Sequence, residues 1–284
     1  FGSSVGQINL LVDTLVASFL VTGSVSWLYY SERLMEFPLG VFGIALATVI
    51  LPRLSGQHAA DAPDDYTHTL DWALRMVIVI GVPAAAALYV LAGPMVAALF
   101  QYGEFTTNDV RMAALSLQAY ALGLLGFILV KVLAPAFYAR QDAVTPVRVG
   151  VVAMLANIVM NIIFVAPMVV WNIPAPHAGL ALATTLAAFL NAGLLFSRLH
   201  RKQWYRPAPG WRRLILQVAA AVSVMTLSLV LISGDDSTWA GQGWHDRVFR
   251  LALCTSTGLV VYILGLWALG LRWRHIAHPP GAVQ

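Results

Sequence analysis

What most constrains this 284-residue chain is the recurrence of apolar runs about as long as a helix needs to cross the ~30 Å hydrocarbon core of a bilayer, roughly 20 residues. Eight such runs are read, at 4–20, 26–51, 72–91 (with a short apolar extension at 94–100), 112–138, 146–170, 178–199, 214–232 and 248–271. Hydrophobic residues make up 59% of the chain and charged ones only 11%, against about 25% charged in a soluble domain, so a soluble fold of this size has nowhere to hide so much apolar surface. The expected fold class is therefore all-α and polytopic, with about eight transmembrane helices.

Charge placement tests that count. Arg53, the pair Arg140 and Arg148, the cluster Arg198, Arg201, Lys202, Arg206, Arg212 and Arg213, and the tail residues Arg272 and Arg274 fall in alternate connections. The intervening connections TGSV, QYGEFTTND, APMVVWNIPAPH and GDDSTWAGQGWHD hold neither Lys nor Arg. Alternation of this kind follows the positive-inside rule and predicts that both ends of the chain lie in the cytoplasm. The net charge of +4 then reads as membrane orientation and gives no reason to expect a nucleic-acid partner. Cys254, the single cysteine, sits in an apolar run and reads as a small buried hydrophobe. The chain opens without Met, without a signal peptide and already helical in character, and reads as a fragment of a longer protein. The polar, acidic stretch 56–71 reads as a cytoplasmic loop. The last two spans, after the basic linker, read as an appended pair, which divides the chain into 1–200 and 201–284.

Enzyme motifs are lacking. Gly2-Ser3-Ser4-Val5-Gly6 fits a nucleophile elbow by letter but opens a membrane helix, and no HExxH, phosphate loop or dinucleotide fingerprint occurs, so no residue is assigned a catalytic role. The informative residues are ionisable or polar groups inside spans, which are costly in lipid and face protein or an aqueous cavity. Ser26, Tyr29 or Tyr30, Arg33, Glu36 and Gly40 recur at spacings of three and four, a stripe along one helix face. Such a stripe suits a cavity wall in which the Arg33 guanidinium clamps a phosphate or carboxylate; the alternative is an Arg33–Glu36 pair that only ties helices together. Glu32 points elsewhere, toward the outer interface. Asp13, the i, i+4 pair Asn157 and Asn161, and Thr184 with Thr185 place several hard oxygens mid-span, fit for a small cation such as sodium or for interhelical hydrogen bonds. Pro38 and Pro83 are expected to bend their helices. Lys131 is read as snorkelling to the cytoplasmic interface, Arg75 as pairing with Asp71, Arg111, Arg247 and Arg250 as outer anchors, and Thr145-Pro146 as a helix cap.

The stretch SWLYYSERLMEFPLGVFGIALATVILPRLS from Ser26 to Ser55 resembles the second-lobe signature of the MurJ/MviN family. QINLLVDTLVASFL near the start, LFQYGEFT (Leu99 to Thr106) and KVLAPAFYARQDAVTPVR (Lys131 to Arg148) resemble further blocks of that family in the same order. The resemblance implies the second six-helix lobe of a two-lobe exporter of the multidrug/oligosaccharidyl-lipid/polysaccharide superfamily, plus two additional C-terminal helices. It implies a bacterial inner-membrane flippase that moves lipid II, the undecaprenyl-pyrophosphate-linked peptidoglycan precursor, by alternating access, with the N-terminal lobe and its own cavity arginines absent from this chain. Arg33, Glu36 and Ser26 match family cavity positions, with Tyr30 beside them. Asp13, Asn157, Asn161 and Thr184 match a sodium site found in some members, where Asn161 stands in place of an acidic ligand. Pro38 and Pro83 would permit lobe closure. A flippase for another polyprenyl-linked oligosaccharide, or a drug/cation antiporter of the same superfamily, remains the alternative.

Overall fold

The computed structural model describes residues 2–234, 238–239 and 241–271, with the backbone alone for 2–5. Arg272 and Arg274, with the rest of the tail, lie outside the described residues. Among those described, the chain is a bundle of helices: α1 (Gly2–Ser18), α2 (Ser24–Pro38), a π-helical segment (Leu39–Ile44), α3 (Ala45–Ala59), α4 (Pro63–Val90), α5 (Ala92–Phe100), α6 (Thr107–Tyr138), α7 (Val144–Val170), α8 (Pro176–Arg201), α9 (Trp211–Ser233) and α10 (Trp244–Ala268). The run from α2 through α3, together with α4, α6, α7, α8, α9 and α10, gives seven stretches long and apolar enough to cross a membrane. At 17 residues, α1 is at the short end of what spans one. The all-α polytopic fold expected from the sequence is what forms.

Several boundaries differ from expectation because helices need not stop where the hydrocarbon does. The stretch read as a loop at 56–71 is mostly helical: α3 runs to Ala59 and α4 begins at Pro63. Proline suits the first helical turn, and Asp64 and Asp65 in that turn favour the positive end of the helix dipole. The short extension at 94–100 is a separate helix, α5, after a break at Leu91. The cap expected from Thr145 comes instead from Asp142, whose carboxylate accepts the Thr145 backbone N–H (3.0 Å) and hydroxyl (2.8 Å).

The long, most enclosed helix is α6. Its start is fixed by a capping box in which Thr106 and Asp109 satisfy each other's backbone N–H groups. Its sides are tied to α2, α8 and α4 through otherwise spare carbonyl valences. The Ser31 hydroxyl of α2 donates to Ala113 (2.7 Å), Thr185 of α8 to Ala119 (2.7 Å), and Tyr66 of α4 to Ala136 (2.5 Å). Helices in lipid gain little hydrophobic energy by associating, so close packing and such polar links hold the bundle. Gly126 lets α8 come near: a Cβ there would lie 3.1 Å from the Phe189 backbone nitrogen.

A second layer is built from α9 and α10. Leu214, Val218, Ala221, Met225 and Leu229 recur at spacings of four and three along α9 and are buried with Cys254, Tyr262 and Leu266 of α10 against Met76 and Val79 of α4 and Ala97 of α5. Cys254 is fully buried among these apolar neighbours. Outward faces carry large apolar residues such as Ile162 and Ile163 of α7 and Phe249 and Leu264 of α10. Exposed Tyr102, Trp171 and Trp244 gather at the bundle end away from the basic connections, in the manner of an aromatic belt.

Candidate functional site

Five helices, α1, α2, α6, α7 and α8, enclose a cavity of about 560 Å³. Five ionisable side chains of Asp, Glu, Lys and Arg line it: Asp13, Glu32, Arg33, Glu36 and Lys131. Tyr29, Tyr120 and Tyr138 add hydroxyls to walls that are otherwise largely aliphatic.

Arg33 and Glu36 form an ion pair at 2.7 Å on the cavity side of α2, and the guanidinium carbon lies 5.1 Å from the centre of the Tyr29 ring. The Arg33 side chain is nevertheless 57% exposed, so the pair stands in open space and is not sealed in helix packing. This wall runs through Val25, Leu28, Tyr29, Glu32, Arg33, Met35 and Glu36 of α2 and Leu39 of the π-segment. Ser26 and Tyr30, expected on that wall, are not on it. Each falls one residue, or about 100° of helix, past the cavity-lining Val25 and Tyr29. Ser26 is exposed outside the cavity, and Tyr30 packs on Phe100 (4.6 Å between ring centres) and edge-on to Phe105. The same rotation brings in Glu32, which sequence spacing had sent toward the outer interface.

Lys131 is expected to snorkel to the cytoplasmic interface from its place near the end of the 112–138 span. That span ends where expected, at Tyr138, but Lys131 lies on the cavity wall.

From the cavity wall inward, Asp13 and Thr184, which line the cavity, and Asn161 and Asn157 behind them close a ring of four hydrogen bonds. The Asn161 amide donates to Asp13 Oδ1 (2.6 Å) and to Asn157 Oδ1 (3.1 Å). The Asn157 amide donates to Thr184 Oγ1 (3.0 Å), whose hydroxyl donates to Asp13 Oδ2 (2.8 Å). Asp13, Asn157 and Asn161 are all buried, and Asn161 Oδ1 has no hydrogen-bond partner. The ring links α1 to α7 and α8. Thr185, next in sequence, is spent on the α6 backbone instead.

Pro38 ends α2, and the helix continues through the π-segment rather than stopping. A π-bulge absorbs an extra residue beside a proline and is frequent at functional sites. Pro83 behaves differently. Proline has no N–H for the carbonyl four residues earlier, and here the Tyr262 hydroxyl of α10 takes up that Val79 carbonyl at 2.6 Å. Pro83 is buried, and the bend expected there is braced by a neighbouring helix.

A multi-pass bundle of apolar helices defines a polytopic membrane protein, here with an open, polar cavity inside its helix bundle. Comparison with known proteins narrows that class: a family profile described as "Lipid II flippase MurJ" matches residues 1–243, and the chain belongs to the MurJ family. It is 48% identical to the "Probable lipid II flippase MurJ" of Vibrio cholerae over 97% of this chain and 51% of the relative. Identity to the corresponding protein of Haemophilus influenzae is 43%, over 97% of this chain and 54% of that one. For the "Lipid II flippase MurJ" of Burkholderia cenocepacia it is 38%, over 97% and 52%. The chain thus spans about half the length of these curated relatives. Among solved structures, a MurJ flippase in an inward closed conformation matches with a TM-score of 0.78 at 23% identity, covering 98% of this chain and 53% of that one. A MATE transporter matches at 0.59 and 18% identity, over 94% and 61%. These two likenesses establish the fold.

Proposed function

We propose that this chain forms one lobe of a transporter that carries lipid II from the cytoplasmic to the outer leaflet of the bacterial inner membrane by alternating access, with both its ends cytoplasmic. The supporting observation is Arg33, a guanidinium at membrane depth that stands exposed in a cavity walled by helices. Catalysis of a covalent reaction is no part of this reading. The remaining wall of the cavity would come from an N-terminal lobe of the same protein, residues 1–200 would form the second lobe, and 201–284 would add a linker, two further helices and a tail.

In this mechanism Arg33 and Lys131 hold the pyrophosphate while the polyprenyl tail stays in lipid, which lowers the cost of moving a charged head group through a low-dielectric layer. Glu36 sets the orientation of Arg33 in the empty cavity and yields it to the ligand. The π-segment after Pro38 is the hinge. The test is Arg33→Ala and Arg33→Glu in the full-length protein, reading lipid II accessibility at the outer surface. Loss of one charge-assisted contact predicts a roughly ten-fold or larger fall in rate. Wild-type rates in both variants would exclude the role.

We further propose that the Asp13 ring holds a small cation such as sodium. The chemistry fits: one carboxylate, one hydroxyl and an Asn161 carbonyl oxygen without a partner, all hard oxygens. Bound there, the cation would offset the charge of Asp13, and rotation of the amides would turn their oxygens inward.

A second reading has one observation in its favour. The cavity wall carries three carboxylates (Asp13, Glu32 and Glu36) against two cations, as a drug/cation antiporter would. Transport of a lipophilic cation by the full-length protein, unaffected by lipid II, would favour it. Failure of the full-length protein to complement cells depleted of their lipid II flippase would favour a flippase for another polyprenyl-linked oligosaccharide.

A further inference from the structure

A second cleft, of about 290 Å³, opens at the basic end of the bundle where α4, the start of α9 and the end of α10 meet. None of its lining residues lines the larger cavity. Its floor is apolar, made by Met76, Val79 and Leu214, and two guanidiniums, Arg75 and Arg213, stand over that floor.

The two arginines are prepared differently. Arg75 is fixed: Nε donates to Asp71 (2.6 Å), Nη2 to the Pro209 carbonyl (2.9 Å), and the guanidinium lies 5.2 Å from the centre of the Trp211 ring. Its charge is matched by Asp71, so it contributes aimed N–H groups more than net charge. Arg213 is exposed, has no carboxylate within 4 Å among the described residues, and brings its Nη2 to Gly270 on the far wall. Arg212, also exposed, adds a further positive charge beside it. Just beyond, Ile215 and Leu216 are exposed apolar residues on α9 (49% and 70%). The cleft therefore sits where the apolar run of α9 begins, with unbalanced positive charge on its water side and hydrocarbon surface on its other side.

An occupant that satisfies both halves carries a phosphate on a hydrocarbon body. We propose that the cleft binds an anionic phospholipid, with the phosphodiester held by Arg213 and Arg75 and the acyl chains lying along the outer faces of α4 and α9. Basic pockets between helices at this level of a membrane recognise anionic head groups in this way. Such a lipid would wedge the α9–α10 pair against α4. The inference is independent of what the larger cavity carries.

The test uses the full-length protein, with native mass spectrometry of binding to phosphatidylglycerol, phosphatidylcholine and inorganic phosphate. Arg213→Ala is expected to weaken phosphatidylglycerol binding about five-fold, and Arg213→Glu more, with Arg213→Lys close to wild type. Misfolding does not confound this, because a glutamate in the first turn of α9 suits the helix dipole better than the native arginine. Arg53→Ala, which removes a basic residue at the same end but outside the cleft, is expected to change nothing. The proposal is overturned if Arg213→Ala and Arg213→Glu bind as wild type, if Arg53→Ala loses as much, if phosphatidylcholine binds equally well, or if inorganic phosphate displaces the lipid at equal concentration.

Discussion

Arg33 shows how little a pair distance says without exposure. Its 2.7 Å contact with Glu36 would mean structural glue if it were dry, but more than half of the side chain is open. A carboxylate met at one nitrogen leaves donors of the fork for a second acceptor. Glu36→Gln is expected to keep the geometry while removing the competing charge. It should tighten binding of an anionic ligand and slow its release, seen as a lower half-saturating concentration with a lower maximal rate in the full-length protein. Asn161→Asp offers a second test at this scale. A second carboxylate beside Asp13 would repel it strongly unless a cation is present. Thermal stability of that variant should become sodium-dependent, and indifference to sodium would count against the cation reading. Of these residues, Arg33, Glu36, Asp13, Asn157, Asn161 and Thr184 could be picked from spacing, since intramembrane polarity is rare and its periodicity selects a face. Spacing left Tyr29 and Tyr30 as alternatives and missed Glu32 and Lys131. A shift of one residue rotates a helix position by about 100°, and a lysine near the end of an apolar run carries no sign of whether it faces a cavity or the interface.

Among the elements, α6 and α4 show two ways of accommodating what a membrane helix tolerates poorly. Gly126 of α6 is a point of close approach, so Gly126→Val should force α8 away and cost about 1–3 kcal/mol, measurable as a lower midpoint of thermal unfolding in detergent. In α4 the carbonyl freed by Pro83 is rescued from α10. Tyr262→Phe removes only the hydroxyl, leaves the Val79 carbonyl unpaired, and should cost about 1–3 kcal/mol; Tyr262→Phe combined with Pro83→Ala should recover most of it, because α4 then supplies its own N–H. Additive losses in that double variant would mean the hydroxyl is not a substitute for the missing backbone bond. The spans themselves were legible from apolar length and alternating charge. The π-segment after Pro38 was not, since a proline in a sequence says that a bond is lost and not whether the helix breaks, bends or takes in an extra residue.

At the scale of the whole molecule, the question is what makes α9 and α10 part of the bundle, since their apolar outer faces are equally at home in lipid. The answer centres on Asp71. It is buried near the start of α4 and accepts hydrogen bonds from the Tyr205 hydroxyl (2.6 Å), the Trp211 indole (2.9 Å), the Ala208 backbone N–H (3.1 Å) and Arg75. Two of those donors, Tyr205 and Ala208, belong to the connection between α8 and α9, and a third, Trp211, opens α9, so one carboxylate gathers that strap onto α4. Burial, and then the hydrogen bond to Asp71, push the Tyr205 hydroxyl well above the usual tyrosine value, which keeps it a donor at any working pH. A second clamp lies nearby, where Lys202 pairs with Asp142 at 2.7 Å and Lys202 and Arg140 both stack on Trp204. Burial alone would raise the Asp142 carboxyl, but the hydrogen bonds from Lys202 and Thr145 hold it below the ordinary carboxylate value. A depressed carboxyl contributes stability that is complete above its unfolded pKa and lost as pH falls through the folded one, so this clamp should persist down to about pH 4. Asp71→Ala leaves Arg75, Tyr205 and Trp211 without their acceptor, and breaking such a buried ionic knot typically costs about 3–5 kcal/mol. That loss should be local. Amide exchange should accelerate through 203–211 and along α9, while α6, α7 and α8, whose links to one another do not pass through Asp71, should keep their protection. Uniform acceleration across all helices would mean that the chain behaves as one cooperative unit and that the strap is no separate joint.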